Sequence, residues 1–289
     1  MTLQGFWRST HDPQRIMQVQ VNSWHDQEQR QREDLLTVEE PFEIRIAGRS
    51  LAVIMRTPGN DAELAMGFLF TEGIIQSAQD VVKIEDALDA DGLPMANVVN
   101  VVLSNTHQSG NMQVQAGAFE RHFAVSSSCG LCGKNSIADL MCSTPPLEPD
   151  TLRIPAATLY ELSERLHAEQ AVFSHTGGLH AAGLFSQEGE LLLLREDVGR
   201  HNAVDKLIGY GLLHNTYPYN QHILLVSGRT SFEILQKALL ARIPCVVAIS
   251  APSSLAVELA ASSGITLVGF LRGHSMNAYT HPERIIPTV

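Results

Sequence analysis

Two cysteines separated by two residues are the part of the sequence best suited to chemistry. Cys129 and Cys132 lie in the segment Ser-Ser-Ser-Cys-Gly-Leu-Cys-Gly-Lys-Asn, which covers residues 126–135. Serine and glycine surround both thiols, so we expect a mobile, solvent-accessible loop. Lys134 and the start of a short helix predicted to follow favour the thiolate over the thiol. A thiolate attacks sulfur donors, so this pair can accept a sulfane sulfur as a persulfide and pass it on.

Three other kinds of site use cysteines at this spacing. A structural zinc site needs two more ligands, for which Cys142, His122 and His175 are candidates, but the sequence has no second Cys-x-x-Cys pair. A thioredoxin-like redox pair follows an early strand and has a flanking aromatic residue, and neither is found here. A zinc deaminase carries His-x-Glu before Pro-Cys-x-x-Cys, whereas here Ser128 replaces the proline. We therefore favour sulfur transfer and expect no intrinsic metal.

The remaining cysteines carry weaker signals. Cys245 lies in the apolar, strand-like run 243–249, so we expect a small buried hydrophobic residue. Cys142 stands near the end of the short helix predicted after the cysteine pair and has no motif of its own.

The bulk composition limits the classes of function. The chain has 289 residues, of which 44% are hydrophobic and 18% charged, as in globular proteins. A net charge of −11 argues against duplex nucleic acid as a partner. No apolar run approaches the roughly 18–20 residues of a membrane span, and residues 1–34 lack an export signal. We therefore expect a cytoplasmic protein without membrane or nucleic-acid partners, in a reducing compartment where cysteines are reactive or metal-binding.

The last third of the chain alternates strands and helices, the pattern of a parallel sheet with covering helices. The elements are a strand over 222–227, a helix over 231–242, a strand over 243–250, a helix over 254–261 and a strand over 265–271. The loops that follow the three strands should meet at one edge, where open α/β sheets bind ligands. Their hydroxyls, helix N-terminal NH groups, Arg229 and Arg272 suit phosphate. For any one loop, an ordinary serine- and glycine-rich turn remains the alternative.

Two further polar clusters precede this sheet. Residues 196–206 combine a buried apolar stripe with charged residues, which fits either the rim of a site or the solvated face of a helix. In His175-Thr-Gly-Gly-Leu-His180 the glycines permit close backbone approach, and the histidines either orient a ligand or complete a buried turn. A capping box is predicted at Thr230 and Glu233.

The pattern along the chain predicts a flexible tail over 1–34, an α+β unit over 35–125, the cysteine loop and short helix over 126–143, and an α/β cofactor-binding domain over 150–289. Within the α+β unit we expect a hairpin over 41–56, a helix over 61–72 and strands at 81–84 and 98–103. Before the last third we expect a helix over 156–169 and strands at 179–185 and 190–195.

Five motifs, found in order along the chain, resemble those of the formate dehydrogenase accessory sulfurtransferase (FdhD) family. The motifs are Ser-Cys-Gly-Leu-Cys-Gly at 128–133, His-Thr-Gly-Gly-Leu-His at 175–180, Glu-Asp-Val-Gly-Arg-His-Asn-Ala-Val-Asp-Lys at 196–206, Ser-Gly-Arg-Thr-Ser-Phe-Glu at 227–233 and Asn-Ala-Tyr-Thr-His-Pro at 277–282. The resemblance runs from about residue 38 to 285.

The resemblance implies a sulfur carrier that takes sulfur from a cysteine desulfurase. The acceptor is the molybdenum (or tungsten) bis(guanine dinucleotide) cofactor, which is then inserted into formate dehydrogenase. The resemblance also implies a homodimer and a cytidine-deaminase-like three-layer α/β domain with a smaller N-terminal α+β unit. The alternative is a chaperone that binds the cofactor without moving sulfur.

By position in these motifs, Cys129 corresponds to the persulfide-bearing cysteine and Cys132 to its partner. Many members have Gly-Arg where this chain has His-Ser at 274–275. We assign cofactor binding to the segment 270–275, which matches the cofactor segment of the family, and to one residue from each of two other motifs. These residues are Phe270, Leu271, Arg272, Gly273, His274, Ser275, Arg229 and His180.

Overall fold

The structure, a computed structural model, describes residues 15–104, 123–124 and 144–287. Its strands are β1 (Ile16–His25), β2 (Glu28–Thr37), β3 (Glu40–Ile46), β4 (Arg49–Arg56), β5 (Val81–Leu88), β6 (Pro94–Leu103), β7 (Phe123–Ala124), β8 (Ile154–Pro155), β9 (His180–Phe185), β10 (Leu191–Asp197), β11 (Ile223–Val226), β12 (Cys245–Ala248), β13 (Thr266–Arg272), β14 (Ser275–Thr280) and β15 (Ile285–Ile286). Its helices are α1 (Asp61–Thr71), α2 (Ala156–Glu169), α3 (Phe173–Thr176), α4 (Arg200–His214), α5 (Phe232–Leu240) and α6 (Ser254–Ser263).

The N-terminal part contains a five-stranded sheet in the order β5-β6-β3-β4-β7. The predicted hairpin is confirmed as β3 and β4, which pair antiparallel around Ala47 and Gly48. Both turn residues have positive φ, 48° and 77°, the backbone that tight hairpin turns need. The predicted helix is confirmed as α1, and the two later strands as β5 and β6.

A six-stranded sheet in the order β10-β9-β11-β12-β13-β14 forms the larger unit. The three central strands β11, β12 and β13 are parallel, as predicted, while β9, β10 and β14 run antiparallel to their neighbours. Every residue of β11 and β12 is buried, because helices cover both faces of the sheet. The leucines of α2 lie in the core on one face, and α4, α5 and α6 contribute to the core on the other. The fold is therefore mixed α/β, as expected.

Helices α1 and α4 join the two sheets into one core, which includes apolar residues of β3, β6, β9 and β11. The helices cross at two glycines. A Cβ atom placed on Gly67 would lie 1.9 Å from the carbonyl oxygen of Asp205, and one on Gly209 would lie 1.8 Å from that of Glu63. The helix backbones are thus in direct contact, which only glycine at these positions allows.

The expectation of a flexible tail over 1–34 is wrong for residues 16–34. These residues belong to β1 and β2, which pair antiparallel over ten positions, from Ile16 with Thr37 to His25 with Glu28. We call this hairpin of β1 and β2 the arm. Val38 N donates a hydrogen bond to Arg15 O and closes the open end of the arm. The many glutamines and charges suggested disorder, but the strand pairing uses the backbone and leaves those side chains exposed. Residues 1–14 lie outside the described part.

No helix in the described ranges is both long and apolar enough to cross a membrane.

Candidate functional site

The loops after β11, β12 and β13 meet at one edge of the six-stranded sheet, as predicted. Thr230 N donates to Ala251 O at 3.2 Å, and Ser253 N donates to Thr230 O at 3.0 Å. Phe270 N donates to Ser250 O at 3.2 Å, which ties the third loop to the second. The carboxyl ends of the parallel strands therefore form one continuous surface, which we call the strand-end edge.

The segment 270–275 is a hairpin tip rather than the predicted loop, because β13 continues to Arg272 and β14 begins at Ser275. Only Gly273 and His274 form the turn. Phe270 has φ 55°, and a bulky aromatic residue at such a φ is strained. The register of the hairpin shifts at this point, between Gly269 and Arg272. Strain of this kind persists where the surroundings enforce it, commonly at binding sites.

The side chains of the hairpin tip have different roles. Phe270 is 38% exposed, and the Arg272 guanidinium lies 5.9 Å from the centroid of its ring, a cation–π arrangement. The His274 ring makes an edge contact with Tyr160 of α2, with the centroids 5.5 Å apart. Leu271 is 1% exposed and packs in the core, so its side chain serves the fold and only its backbone remains for a ligand.

Two helix N-termini meet beside this edge. His201, in the first turn of α4, lies with Nε2 3.3 Å from Oγ of Ser231, the N-cap residue of α5. The predicted capping box is wrong, because the helix begins one residue later and Ser231 makes no side-chain cap. The Thr230 hydroxyl is fully buried and, among the described residues, has no hydrogen-bond partner. Free NH groups and a hydroxyl donor suit an anion.

His180 and Arg200 both lie against Gly228, whose missing Cβ would come within 3.1 Å of His180 Nδ1 and 3.5 Å of Arg200 Cδ. Burial, and then the positive charge of Arg200, lower the pKa of His180. Burial, and then Lys237 and Arg200, lower the pKa of His201 to about 4. Both imidazoles are neutral at pH 7. The charged groups beside them include Arg200 and Glu233, whose Oε2 lies 3.9 Å from His201 Nε2.

Arg229 is exposed at this edge. No hydrogen bond or ion pair joins its guanidinium to any other residue in the described ranges. Such a side chain is available to an incoming anion.

The charged residues of 196–206 that were predicted to form a rim or a solvated face are largely buried. Asp197 and Lys206 are fully buried, with Lys206 Nζ 2.7 Å from Asp197 Oδ2. Asp197 also accepts from Thr57 N, and Lys206 donates to Thr57 O. Asn202 donates to Met55 O and to Asp197. These contacts attach the end of β4 to the larger unit, so this part of the motif is structural.

A second buried pair has the same character. Lys237 of α5 lies 2.8 Å from both carboxylate oxygens of Asp205 on α4, and Thr71 of α1 bonds to the same pair. Three helices are therefore joined beneath the strand-end edge.

The Glu196 carboxylate, which the sequence did not assign, binds the start of α3. It accepts from Val172 N at 3.2 Å and Phe173 N at 2.9 Å. An acidic residue at a helix N-terminus is favourable. His175, at the end of α3, is exposed and bonds to Ala171 O, so of the two histidines of this motif only His180 reaches the strand-end edge.

Cys129, Cys132 and Cys142 lie outside the described residues, so their predicted roles stay predictions. Cys245 is fully buried in β12, and burial raises its pKa to about 12, which confirms it as an inert apolar residue. Within the described ranges, no cluster of three or more His, Cys, Asp or Glu side chains could hold a metal ion.

Comparisons with known proteins give a consistent result. A family model described as the FdhD/NarQ family matches residues 37–286. A sulfur carrier protein FdhD of Streptomyces coelicolor is 48% identical over 258 residues, covering 88% of this chain and 90% of that protein. A protein of the same name from Sulfolobus acidocaldarius is 43% identical over 272 residues, covering 93% and 98%.

One solved structure, described as a candidate formate dehydrogenase accessory protein from Desulfotalea psychrophila, has a similar fold. It superposes with a TM-score of 0.71 at 23% identity and covers 94% of this chain and 99% of that one.

Proposed function

The chain belongs to the FdhD/NarQ family, and from this premise we propose that it is a sulfur carrier serving the maturation of formate dehydrogenase. The relatives named as sulfur carriers extend over most of the chain at 43–50% identity, which supports the same role here. We further propose that it acts as a sulfurtransferase. The donor is a cysteine desulfurase, and the acceptor is the molybdenum bis(guanine dinucleotide) cofactor, which is the substrate rather than a resident group.

The observation that carries the binding half of this proposal is the set of anion-binding groups at the strand-end edge. Two helix N-termini converge there, bridged by His201 and Ser231. Arg229 is exposed, Arg200 lies close by, and the Thr230 hydroxyl is unsatisfied among the described residues. The site suits the phosphates of a dinucleotide. The hairpin tip with Phe270 and Arg272 extends this surface towards an aromatic base.

The sulfur step follows from thiol chemistry. The Cys129 thiolate attacks the outer sulfur of the desulfurase persulfide. A bond forms between the two sulfurs, the donor S–S bond breaks, and its electron pair leaves on the desulfurase thiolate. The product is a persulfide on Cys129.

Release of that sulfur needs two electrons, and Cys132 supplies them. Its thiolate attacks Sγ of Cys129, so the terminal sulfur leaves as hydrosulfide to the acceptor and a Cys129–Cys132 disulfide remains. A cellular thiol then reduces this disulfide for the next round.

The arrangement of the larger sheet supports a cytidine-deaminase-like assignment. An antiparallel pair, β10 and β9, precedes the parallel strands β11, β12 and β13, with helices on both faces. The zinc site of that fold is not part of the proposal, because the deaminase residues are missing from the sequence. We also propose a homodimer, on the family resemblance alone.

The test uses the full chain incubated with a cysteine desulfurase and cysteine, followed by mass spectrometry of intact protein and peptides. We expect one added sulfur on Cys129 in the wild type and none in Cys129→Ala, while Cys132→Ala keeps the added sulfur and fails to release it. Binding of GDP should be the same in all three. An unmodified Cys129 in a protein that still binds GDP would reject sulfur transfer and favour the cofactor-binding chaperone.

A further inference from the structure

A cavity of about 430 Å³ lies at the amino ends of the parallel strands, at the opposite end of the six-stranded sheet from the strand-end edge. Pro244 lines it and directly precedes β12, and the turn 218–221 lines it and leads into β11. The segment 147–152 forms the facing wall. The cavity shares no lining residue with the strand-end edge, so it is a separate site.

The end of helix α5 holds both walls of this cavity in place. Arg242, two residues beyond the helix, donates from Nη1 to Pro145 O at 2.8 Å and from Nη2 to Pro146 O at 2.9 Å. On the other side, Tyr219 N donates to Ala241 O at 3.1 Å. The segment before the facing wall and the turn before β11 are therefore attached to the same short stretch of chain.

The facing wall has further attachments of its own. Leu147 N donates to Ser263 O at 2.9 Å. The Asp150 carboxylate accepts from Arg284, with Nη2 2.7 Å from Oδ2, and Arg284 is buried. The cavity is thus formed in advance by contacts within the protein, as is common for ligand pockets.

Arg242 stands where the backbone favours glycine. Its φ is 60°, and the left-handed residue that ends a helix is most often glycine because other side chains are strained there. Residues held in such a conformation cluster at functional sites. Its bonds to the two proline carbonyls use two of the five donors of a guanidinium, so three donors remain.

Two opposite charges line this cavity without pairing. Arg242 is partly buried and Glu148 is exposed, and no ion pair joins either side chain to another residue in the parts of the chain that the structure describes. The second carboxylate of the lining, that of Asp150, is already paired with Arg284. A ligand that carries one carboxylate and one ammonium group would satisfy both free charges at once.

The remaining lining suits a small aliphatic group. Apolar surface comes from two leucines and three prolines, namely Leu147, Leu152, Pro149, Pro218 and Pro244. A phosphate would bring its negative charges towards Glu148 and find a single arginine. An amine without a carboxylate would leave Arg242 unpaired. The combination of one free cation, one free anion and an apolar wall therefore favours a small zwitterion over either ion alone.

We propose that this cavity binds a free aliphatic α-amino acid. The carboxylate of the ligand pairs with Arg242, its ammonium group pairs with Glu148, and its side chain packs on the prolines. This inference goes beyond the sulfur carrier role and does not depend on it, because the cavity lies at the other end of the sheet from the strand-end edge.

The test measures binding of L-leucine to the full-length protein by isothermal titration calorimetry. Isocaproate and isoamylamine, which are leucine without its ammonium and without its carboxylate, are the matched half-ligands. We expect each half-ligand to bind at least about tenfold more weakly than leucine, because each leaves one charge of the cavity unpaired. Wild-type protein that does not bind leucine, or that binds a half-ligand as tightly, would overturn the proposal.

Glu148→Gln keeps the shape of the side chain and removes its charge. Leucine affinity should fall by about tenfold, whereas isocaproate, which has no ammonium group, should bind no more weakly than before. The matched control Glu258→Gln removes an exposed carboxylate on α6 and should leave leucine binding unchanged. Leucine binding in Glu148→Gln equal to that of the wild type would reject the assignment.

Arg242→Asn removes the cation and places at this φ the residue that tolerates it best after glycine. Affinity for leucine and for isocaproate should fall by about tenfold, and affinity for isoamylamine should not. If this variant does not fold, Glu148→Gln decides alone, since Glu148 is exposed. Saturating GDP should leave leucine affinity unchanged, and competition between the two ligands would place leucine at the strand-end edge and overturn the proposal.

Discussion

Lys206 Nζ lies 2.7 Å from Asp197 Oδ2, and neither side chain exposes any surface. The pair is closed by backbone groups, because Thr57 gives its NH to the carboxylate and its carbonyl to the ammonium. Thr57 lies 140 positions before Asp197 and 149 positions before Lys206 in the sequence, so these contacts hold distant parts of the chain together. The pair fixes the N-terminal sheet to the larger unit.

Removing one charge of this pair should be strongly destabilising. Lys206→Met leaves the Asp197 carboxylate buried without its cation, for which we expect a loss of about 3–5 kcal/mol in the free energy of unfolding. Urea denaturation followed by circular dichroism measures it. The matched control Lys83→Met breaks an exposed pair with Glu85 and should cost less than about 1 kcal/mol. Equal losses in the two variants would contradict the structural role.

Substitution of Gly67 by alanine should also destabilise the fold. The new Cβ would overlap the Asp205 carbonyl oxygen, and the α1–α4 contact cannot relax by a side-chain rotation. We expect a loss of about 3 kcal/mol, at the upper end for overpacking. In the control Gly92→Ala the Cβ meets open space and only the positive φ of 79° is unfavourable, so about 1 kcal/mol is expected. The midpoints of thermal unfolding should follow the same order.

Stability should fall as the pH drops from about 6.5 to about 4, in part through His201. Its pKa in the folded state is about 4, below the ordinary 6.5, so in this range the unfolded chain binds the proton and the folded protein does not. The resulting loss is at most about 3 kcal/mol. His201→Gln should flatten the dependence, and His25→Gln on the exposed arm should not. His180 and His222, whose pKa values burial also lowers, add to the slope that remains, as do Glu43 and Glu85, whose pKa values are lowered by hydrogen bonds from Arg45 and Lys83.

Thiol reagents should not modify Cys245 in the folded protein. The side chain has no exposed surface, and its pKa of about 12 leaves almost no thiolate at neutral pH. Iodoacetamide at pH 7.5, followed by peptide mass spectrometry, should label Cys245 only after denaturation. Labelling of the native protein at this residue would show that β12 opens readily.

Arg229 should contribute to nucleotide binding through charge. Arg229→Gln keeps a polar side chain but removes a cation at the strand-end edge, so we expect about tenfold weaker GDP binding, from the loss of charge-assisted hydrogen bonds. The effect should diminish as salt is raised. The control is Arg30→Gln in the exposed arm, which is distant in sequence from Arg229. A comparable loss of GDP affinity in this variant would point to a general effect of net charge.

Local patterns in the sequence were sufficient for most elements. The leucines at 159, 162 and 166 predicted α2 with its observed ends, and all three are buried. The apolar runs of β11, β12 and β13 predicted the parallel strands and the meeting of their loops at one edge. These features depend on residues close together in sequence, where periodicity and turn residues act directly.

Features that depend on distant partners were not predictable in this way. The burial of Asp197 and Lys206 requires Thr57, and that of Asp205 requires Lys237 and Thr71. The charge pattern alone cannot distinguish such a pair from a solvated helix face. The arm of β1 and β2 was missed because its strands pair through backbone groups and show no strong apolar alternation. The anchoring of α3 was missed because it depends on Glu196 of β10, which accepts hydrogen bonds from the NH groups at the start of that helix.

The glycine crossing of α1 and α4 has a consequence for any redesign of this protein. Because each glycine faces a backbone carbonyl rather than a side chain, no side-chain substitution on the facing helix can make room for a larger residue. The distance between the two helices is consequently set by main-chain contact, and a bulkier residue at either position requires a whole helix to move.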